Sequence, residues 1–471
     1  MNLTLLLLLS HQINILESVS MYSAGNYIYD PNRLIFYQNE CGTQTIEKIC
    51  SYIKSNDSYE CLQEKLNAYN ADEIQIKPGV LHRAGICLTN NCNFRCNYCS
   101  ESSVDGHKEL LSIDDVMAFV SDVMKRWTVN KLLEKAKESL SLSFTGGGEP
   151  TYNWDLFTNV VLQIRKKCLD NNIPVLLSIT TNGLLDESQQ VFIAENFDSV
   201  MVSYDGIPEI QEKNRRCIND SRTSKPVEET IFFFSKKSMR LTIRTTIWQS
   251  DFCRLKEMTD YVLENFGTSV EWSILPVIPT GRAMNRVRKE HEILSESDFL
   301  SSYIDTVEYA KNKYDSVNII SPVFQGNDIV NAFYCGAISF SCSCPWLLPD
   351  KTIITCIEAC DEKTTIGKVE GNEVVYFEKC ADPLFKVYQQ KFDECRSCIA
   401  YRFCKGGCPV RHLANRNART TMDDWECTMI QKYWTYIFEN ILEGKECLGW
   451  CVKPVEIDGL EGIEVLKLTK V

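Results

Sequence analysis

Three cysteines on one short segment are the residues whose spacing points most directly to metal chemistry. Within NNCNFRCNYCS, residues 90–100, Cys92, Cys96 and Cys99 follow a Cys-x3-Cys-x2-Cys pattern. In a chain with this cysteine content, a triad at fixed spacing is expected by chance only roughly 0.05 times. A zinc knuckle is the simplest alternative, but structural zinc takes four ligands, and no fourth Cys or His lies within a few residues. Three thiolates on a cubane iron–sulfur cluster would instead leave one iron open to an exogenous chelate.

A second group of cysteines lies nearer the C-terminus. Residues 395–408, CRSCIAYRFCKGGC, hold four of them with Cys-x2-Cys-x5-Cys-x3-Cys spacing. Eleven of the 23 cysteines fall between Cys335 and Cys427. A segment this rich in cysteine is stabilised by covalent or metal cross-links more than by a large apolar core. Two zinc sites are an alternative, because four thiolates also suit zinc.

Strand and helix patterns alternate around the first triad. The strand patterns are AGICLT, SLSFTGG, VLLSITTNG, SVMVSYDG, LTIRTTI and VEWSILPVI. Amphipathic stretches such as SIDDVMAFVSDVMKRW and LFTNVVLQIRKKCLD lie between them. This alternation predicts an α/β fold with a parallel sheet or a partial barrel, in which ligands bind at the C-terminal ends of the strands. Cys87, on the strand before the triad, is predicted to be a core residue.

Smaller units are predicted at both ends of the chain. Residues 22–78 combine strand-like runs around the turn signal Asp30-Pro31-Asn32-Arg33 with two helical patterns, which indicates a winged-helix-like unit. The tail predicts one helix, QKYWTYIFENIL, and a final hairpin around Asp458-Gly459. The predicted domain boundaries are 1–78, 79–300, 301–334 as a bridging segment, 335–430 and 431–471.

Composition limits the location and the partners. The 50 basic and 63 acidic residues give a formal charge of −13, which disfavours binding to a nucleic-acid backbone. The apolar run near the start, Leu3 to Leu9, is too short to span a membrane and lacks the basic flank of a secretory signal. We therefore expect a cytoplasmic protein with no nucleic-acid or membrane partner, whose translation starts at Met1 or Met21.

The ordered set of motifs from residue 79 to about 300 resembles the radical S-adenosylmethionine (SAM) enzymes. Tyr98 precedes the third cysteine of the triad, and further motifs end successive strand patterns: TGGGEP at 145–150, TTNG at 180–183, SYDG at 203–206 and PVIP at 276–279. The resemblance implies a partial (β/α)6 TIM-like barrel. It also implies a 4Fe-4S cluster on Cys92, Cys96 and Cys99 that chelates SAM at its open iron. One electron would then cleave the cofactor to a 5′-deoxyadenosyl radical.

The same resemblance implies the side chains that bind the cofactor. They are Tyr98, Gly146, Gly147, Gly148, Glu149, Asn182, Ser203, Asp205 and Arg244. The glycines would let the backbone approach the methionine amino group, Glu149 would orient that ammonium, and Tyr98 would flank the adenine. Arg244 would meet the carboxylate or form a structural ion pair. Asp205 would hold polar cofactor atoms or cap the following helix.

The downstream cysteines resemble the SPASM extension of these enzymes, a Cys-rich C-terminal iron–sulfur domain with two auxiliary 4Fe-4S clusters. Three clusters are therefore implied in all. By this resemblance the first auxiliary cluster is held by Cys335, Cys342, Cys356 and Cys408, and the second by Cys395, Cys398, Cys404 and Cys427. Cys344 competes with Cys342 for one position, and we prefer Cys342 on spacing. The family usually has Gly where this chain has Lys351, which predicts a looser turn.

SPASM-containing radical enzymes mostly modify peptides, and two branches are relevant. Sulfatase-maturating enzymes carry a catalytic Asp directly after the cysteine that matches Cys356, whereas here Ile357 follows. The other branch crosslinks ribosomally made precursor peptides, as in sactipeptide maturation. We therefore expect an oxidoreductase that forms a sulfur-to-carbon thioether, with carbon–carbon crosslinking as the second choice. The alternatives are sulfatase-type formylglycine formation, a small-molecule dehydrogenase or cofactor-biosynthesis enzyme, and a non-catalytic iron–sulfur protein.

The expected partners follow from that function. They are a precursor peptide, bound through its leader by residues 1–78, and an electron donor such as flavodoxin or ferredoxin. A leader would add a strand to the edge of the predicted hairpin. The alternative is that residues 1–78 form a cap that only packs on the barrel.

Overall fold

The computed structural model describes most of the predicted barrel and parts of both ends of the chain. The described residues are 22–24, 27–30, 35–38, 74–75, 81, 83–100, 109–132, 138–278, 281–284, 296–324, 344–354, 357, 365–377, 379–380, 398–404, 425–456 and 465–470. The helical patterns predicted between 39 and 73 lie outside this set.

One large sheet forms the centre of the described fold. Its parallel strands are β5 (Ala84–Ile86), β7 (Leu140–Phe144), β8 (Val175–Thr181), β9 (Ser199–Ser203), β11 (Arg240–Ile247), β12 (Glu271–Pro276) and β13 (Asn318–Ile320). They lie side by side in chain order, all with parallel pairing. The six strands predicted from the sequence are confirmed, and β13 adds a seventh from the segment expected only to bridge two domains.

Helices follow most of these strands and cover one face of the sheet. They are α1 (Ile113–Leu132), α2 (Trp154–Asp170), α3 (Glu187–Asn196), α4 (Pro208–Asn214), α5 (Ser224–Ser235), α6 (Leu255–Phe266) and α7 (Glu296–Lys313), with a 3-10 helix at Gln249–Arg254. Capping residues define where two of these helices begin. The Asn153 side chain accepts the Leu156 N–H at the start of α2, and Asp186 with Gln189 forms a capping box on α3.

Apolar side chains between the helices and the sheet form the core. Phe144 of β7 packs edge-on against Phe157 of α2, whose ring stacks on Phe197 with 5.7 Å between centroids. All three are at least 96% buried, because their exposures are 0%, 0% and 4%. Burying a Phe side chain contributes about 2–3 kcal/mol, so these rings fix how α2 and α3 lie on the strands.

The sheet continues beyond β5 into a meander built from the downstream sequence. β14 (Trp346–Leu347) pairs parallel to β5, followed by antiparallel β15 (Thr352–Ile354), β16 (Thr365–Glu370) and β17 (Glu373–Tyr376). The Tyr376 hydroxyl donates to Asp122 Oδ2 at 2.6 Å and accepts from Arg126 Nη1 at 3.1 Å, which joins β17 to α1. The start of the Cys-rich region is thus an extension of the barrel sheet.

A second sheet combines the two ends of the chain. Its strands are β1 (Tyr22–Ala24), β2 (Tyr27–Asp30), β3 (Ile35–Gln38), β19 (Trp450–Pro454) and β20 (Val465–Lys470), in the order β1-β2-β3-β20-β19. Both predicted hairpins are confirmed, since β2 pairs with β3 and β19 with β20. The sequence did not predict that β3 also pairs with β20. The two hairpins, placed in separate domains by the sequence, share one sheet.

The remaining described elements are short except for one helix. They are β4 (Ile74–Gln75), β6 (Phe94–Cys96), β10 (Arg215–Cys217), β18 (Lys379–Cys380), α8 (Tyr401–Cys404) and α9 (Trp425–Leu442). The predicted tail helix, residues 431–442, corresponds to the last two-thirds of α9. None of the helices in the described ranges is both long and apolar enough to cross a membrane.

Candidate functional site

The cysteine triad lies on a loop that leaves the C-terminal end of β5. The loop contains β6, which pairs antiparallel with β10, so that Cys96 lies opposite Arg215. Phe94 is 1% exposed and anchors the loop in the core, and its N–H contacts the Cys92 sulfur at 3.4 Å. The thiols of Cys92, Cys96 and Cys99 are all partly accessible. The predicted triad is therefore held at the edge where ligands of parallel sheets bind.

The raised pKa values of Cys92 and Cys96 indicate which charge a bound group must bring to this loop. Burial, and then the Glu149 carboxylate and the other cysteines, raise the pKa of Cys92 to about 12. Burial also dominates at Cys96, where it raises the pKa to about 11 although Arg215 opposes it. Thiolates at Cys92 and Cys96 therefore require added positive charge, which irons supply.

The donor set suits a cubane cluster, in which three cysteines bind three different irons. Within the described ranges, no three Cys, His, Asp or Glu side chains are grouped to hold one metal ion. In a cubane each thiolate binds a different iron, so the three sulfurs stand farther apart than ligands that share an ion. Cys92, Cys96 and Cys99 would hold such a cluster, and its fourth iron would lack a protein ligand.

The predicted glycine turn packs against the triad loop. Gly148 N–H donates to Thr89 O and Glu149 N–H to Asn91 O, both at 2.8 Å. A Cβ atom on Gly148 would fall 1.8 Å from Asn91 O, and one on Gly147 would fall 2.4 Å from the Cys87 sulfur. These positions are glycine because the turn and the loop touch through their backbones. Cys87 is confirmed as a core residue, 1% exposed.

Glu149 is a buried carboxylate at the base of the site. Its Oε1 accepts from Thr151 Oγ1 and Thr181 Oγ1, both at 2.8 Å, and its Oε2 accepts from Asn182 N–H at 2.7 Å. Burial raises the pKa of Glu149, and these hydrogen bonds partly oppose that effect. The carboxylate thus fixes the TTNG turn beneath Cys92, and it was predicted only as a partner for the cofactor ammonium.

Asn182 joins the TTNG turn to the triad loop. Its Nδ2 donates to Asn93 Oδ1 at 2.5 Å and lies 3.9 Å from the Cys92 sulfur. Its Oδ1 accepts the Leu184 N–H at 3.0 Å. The side chain predicted to contact the cofactor therefore stands beside the cluster cysteines.

A row of polar side chains lines the half-open face of the parallel strands. Ser203 on β9 lies directly beside Arg244 on β11 in the strand register, and both are partly accessible. These two predicted residues are brought together. Sequence reasoning missed others on this face, namely Ser143, Ser178, Thr180 and Thr246. The signal was present, because polar residues alternate with buried apolar ones along these strands.

Asp205 lies buried behind the triad loop, and its predicted contact with the cofactor stays a prediction. The residue is 0% exposed, and its Oδ2 accepts from Tyr98 Oη at 2.6 Å and from Asn214 Nδ2 at 3.1 Å. Its Oδ1 accepts from Arg215 Nε at 3.0 Å and Thr246 N–H at 3.2 Å. Four protein donors use both oxygens, so Asp205 acts from behind the loop. It does not cap α4, whose N-cap residue is Ile207.

Tyr98 is held by this buried carboxylate and by a cation. Its ring lies 5.2 Å from the Arg215 guanidinium carbon and 6.4 Å from the Trp248 ring. The Trp248 Nε1 donates to Asn97 Oδ1 at 3.1 Å. On the other side, Arg282 Nη1 donates to Cys96 O at 2.9 Å. Arg215, Trp248 and Arg282 belong to no motif in the sequence, because their contacts with the triad loop depend on tertiary structure.

The downstream ligands are described in part. Cys398, Cys404 and Cys427 are partly accessible, and Gln431 Nε2 lies 3.4 Å from the Cys398 sulfur. Cys427 is one helical turn before Gln431 on α9, so it lies on the same face. The other predicted ligands lie outside the described residues: Cys335, Cys342, Cys356, Cys395 and Cys408. Cys344 is buried, and the choice between it and Cys342 stays a prediction.

Ile357 connects the downstream sequence to the glycine turn. A Cβ on Gly146 would fall 2.4 Å from Ile357 Cγ1, so the isoleucine side chain lies directly on this glycine. Gly146 has a φ of 85°, which disfavours other residues there. The residue after the predicted ligand Cys356 thus reaches the cofactor turn.

Comparisons with known proteins agree with this geometry. Residues 86–249 match the Radical SAM superfamily model. A Cysteine-type anaerobic sulfatase-maturating enzyme of Clostridium perfringens is 22% identical over 376 residues, which cover 75% of this chain and 95% of the relative. An S-adenosylmethionine-dependent nucleotide dehydratase of Psychrobacter lutiphocae is 24% identical over 265 residues, or 52% of this chain and 83% of the relative.

The fold is also similar to solved structures. Native anSMEcpe with bound AdoMet and Kp18Cys peptide superposes with a TM-score of 0.57 and 19% identity, covering 78% of this chain and 99% of that one. The matched family segment contains the triad, the glycine turn, Asn182, Ser203 and Arg244. Residues 86–249 are therefore a radical SAM domain, and the chain is an enzyme that carries this domain.

Proposed function

We propose that this enzyme is a peptide maturase that forms a thioether between a cysteine sulfur and a carbon of a ribosomally made precursor peptide. The support for a peptide substrate is the similarity, over 95% of its length, to a sulfatase-maturating enzyme. The related fold of native anSMEcpe holds a Kp18Cys peptide. The polar face lined by Ser203 and Arg244 binds the cofactor, and the cluster cysteines anchor it.

The observation that carries the choice of reaction is the apolar side chain of Ile357 on Gly146. Formylglycine formation requires a base at this place, and isoleucine has no group that accepts a proton. An apolar wall beside the cofactor turn suits a reaction in which a carbon radical is captured by a nearby sulfur. The bound cluster supplies one electron to SAM, which yields the radical that removes the substrate hydrogen.

The thioether step is a net oxidation by two electrons. The substrate C–H bond breaks, with the hydrogen atom going to the adenosyl group. The cysteine sulfur would then bond to the carbon, losing its proton to solvent and one electron to an auxiliary cluster. We place the auxiliary clusters on Cys335, Cys342, Cys356 and Cys408, and on Cys395, Cys398, Cys404 and Cys427. A flavodoxin or ferredoxin would supply the one electron used to cleave SAM and take up the one electron left on the auxiliary cluster, so each turnover balances. The compartment is the cytoplasm.

Leader binding is assigned to the sheet that contains the N-terminal hairpin. We expected a leader to add to the hairpin itself, but β1 covers β2 and β20 covers β3. Among the described strands, β1 and β19 are at the edges of this sheet. A leader that binds by strand addition therefore pairs with β1 or β19, and it raises the local concentration of the core peptide at the radical site.

Sulfatase maturation is the second candidate function, because the relatives that cover most of this chain have that activity. Carbon–carbon crosslinking and small-molecule dehydrogenation are the further alternatives. Product mass distinguishes them. The reconstituted enzyme is incubated with SAM, dithionite and the precursor peptide encoded beside its gene, or with a Cys-type sulfatase peptide.

Each mass outcome identifies one reaction. A loss of about 2 Da per link with thiols consumed supports the thioether. The same loss with all thiols still alkylatable indicates carbon–carbon crosslinking. Conversion of a sulfatase cysteine to an aldehyde contradicts the proposal and supports the second candidate. No change on either peptide indicates a small-molecule substrate.

A further inference from the structure

A buried ion pair lies directly behind the triad loop. Arg215 Nε and Asp205 Oδ1 are 3.0 Å apart, and their side chains are 9% and 0% exposed. Arg215 is also the cross-strand partner of Cys96 in the β6–β10 ladder. The ion pair therefore lies beside the predicted cluster ligand Cys96, and its two side chains are shielded from water.

The same pair fixes the orientation of the loop. Asp205 accepts the Tyr98 hydroxyl at 2.6 Å, and the Arg215 guanidinium covers the Tyr98 ring at 5.2 Å. Asn214, which also donates to Asp205, accepts from Asn97 Nδ2 at 3.0 Å. Residues 96–98 are thus gripped from β10 and from the SYDG turn, both of which follow β9 in the chain.

Two opposite charges this close to the cluster act on it in opposite senses. A buried cation stabilises added negative charge nearby, and a buried anion destabilises it, because little water screens either one. The reduction potential of an iron–sulfur cluster follows such surrounding charges and hydrogen bonds. With both partners present their fields largely cancel, and the loop keeps its geometry.

We propose that Arg215 and Asp205 are a positioning pair whose opposite charges balance each other's effect on the reduction potential of the cluster on Cys92, Cys96 and Cys99. The positive charge of Arg215 raises the reduction potential, which makes reduction of the cluster easier. The negative charge of Asp205 lowers the potential and offsets this effect. Both side chains are buried, Asp205 with 0% and Arg215 with 7% of its surface exposed. The proposal concerns the radical SAM cluster alone and does not depend on which peptide is the substrate.

The test measures potentials of the reconstituted full-length protein. Redox titrations are followed by electron paramagnetic resonance, using the reduced signal that changes when SAM is added, because that signal belongs to the SAM cluster. The variants are Arg215→Met, Asp205→Asn and the double variant. Iron content and thermal unfolding are measured for each protein.

The pair predicts shifts of opposite sign. Arg215→Met lowers the potential, Asp205→Asn raises it, and the double variant returns close to the wild-type value. Arg215→Lys keeps the positive charge and loses the planar guanidinium, and its reduction potential stays near the wild-type value. A matched control is the Arg165–Asp198 pair, 3.2 Å apart and half-exposed at the opposite end of the strands. Arg165→Met and Asp198→Asn leave the potential unchanged.

A purely structural role gives a different pattern. In that case the variants lose iron or melt earlier, but the potential of the remaining cluster stays the same or moves in one direction for both. Either result overturns the proposal. If Arg215→Met does not fold, the more conservative Asp205→Asn decides, because an unshifted or lowered potential there contradicts it.

Discussion

Lys351 occupies a backbone conformation that usually belongs to glycine. Its φ is 70°, at the turn between β14 and β15. We expected a looser turn without glycine, and the structure corrects this. Asp350 Oδ1 accepts from Thr352 N–H at 3.0 Å and from Thr352 Oγ1 at 2.6 Å. Lys351 Nζ also reaches Asp115 Oδ1 at 2.9 Å, which fastens the turn to α1.

Two substitutions at Lys351 separate backbone strain from the ion pair. Both Lys351→Ala and Lys351→Gly lose the contact with Asp115, but only glycine adopts a positive φ without strain. We expect the Ala variant to be less stable than the Gly variant by about 1 kcal/mol. Anaerobic urea unfolding of the two proteins measures the difference. An Ala variant as stable as the Gly variant would mean that the turn relaxes.

The two terminal hairpins were predictable as elements but not as one sheet. Alternating residues and turn signals are local, whereas the pairing of β3 with β20 joins residues more than 400 positions apart. Phe36 of β3 is fully buried and packs edge-on against Phe438 of α9, with 5.1 Å between ring centroids. The N-terminal strands therefore complete the core around the helix that carries Cys427.

Removing the Phe36 ring tests this structural dependence. Phe36→Ala leaves a cavity against α9, and truncating a buried Phe costs about 3–5 kcal/mol. We expect earlier thermal unfolding and loss of downstream iron, with reductive SAM cleavage retained. Phe232→Ala is the control, because that ring is 52% exposed on α5. Unchanged iron content and stability in Phe36→Ala would show that the sheet of β1, β2, β3, β20 and β19 is an independent unit.

Deletion of residues 1–78 is consequently a weaker test of leader binding than the sequence suggested. It removes β1, β2 and β3 together and exposes the long edge of β20. Loss of peptide turnover in that deletion reports either a missing leader site or a damaged C-terminal sheet. Substitutions that leave Phe36 and Tyr37 in place separate the two.

The barrel strands and the downstream meander of β14–β17 are joined where β14 pairs with β5. A Cβ on Gly85 would lie 1.8 Å from Trp346 Cε3, so glycine is required for the downstream sheet to dock on the barrel. Gly85→Ala should destabilise the protein by about 1–3 kcal/mol through overpacking. Adding Trp346→Leu should restore part of the loss, because the smaller side chain makes room. Equal melting temperatures for Gly85→Ala and wild type would contradict this docking.

The sequence predicted the barrel strands and the cluster cysteines because their signals are local. Strand periodicity located β5, β7, β8, β9, β11 and β12, and the triad spacing located Cys92, Cys96 and Cys99. It did not predict β14, which has two residues and depends on Gly85 for its place. It also did not predict the four protein donors around Asp205, because a motif names a residue without naming its tertiary contacts.

We propose above all that the cysteine triad binds the cluster that cleaves SAM. The test replaces Cys92, Cys96 and Cys99 together by Ala, reconstitutes the protein anaerobically and measures iron and 5′-deoxyadenosine with dithionite. From about twelve irons per chain in wild type, the triple variant should lose about a third and form no 5′-deoxyadenosine. The control is Cys168→Ala with Cys253→Ala, two cysteines outside every proposed ligand set, which should match wild type. A triple variant that still forms 5′-deoxyadenosine would contradict the account.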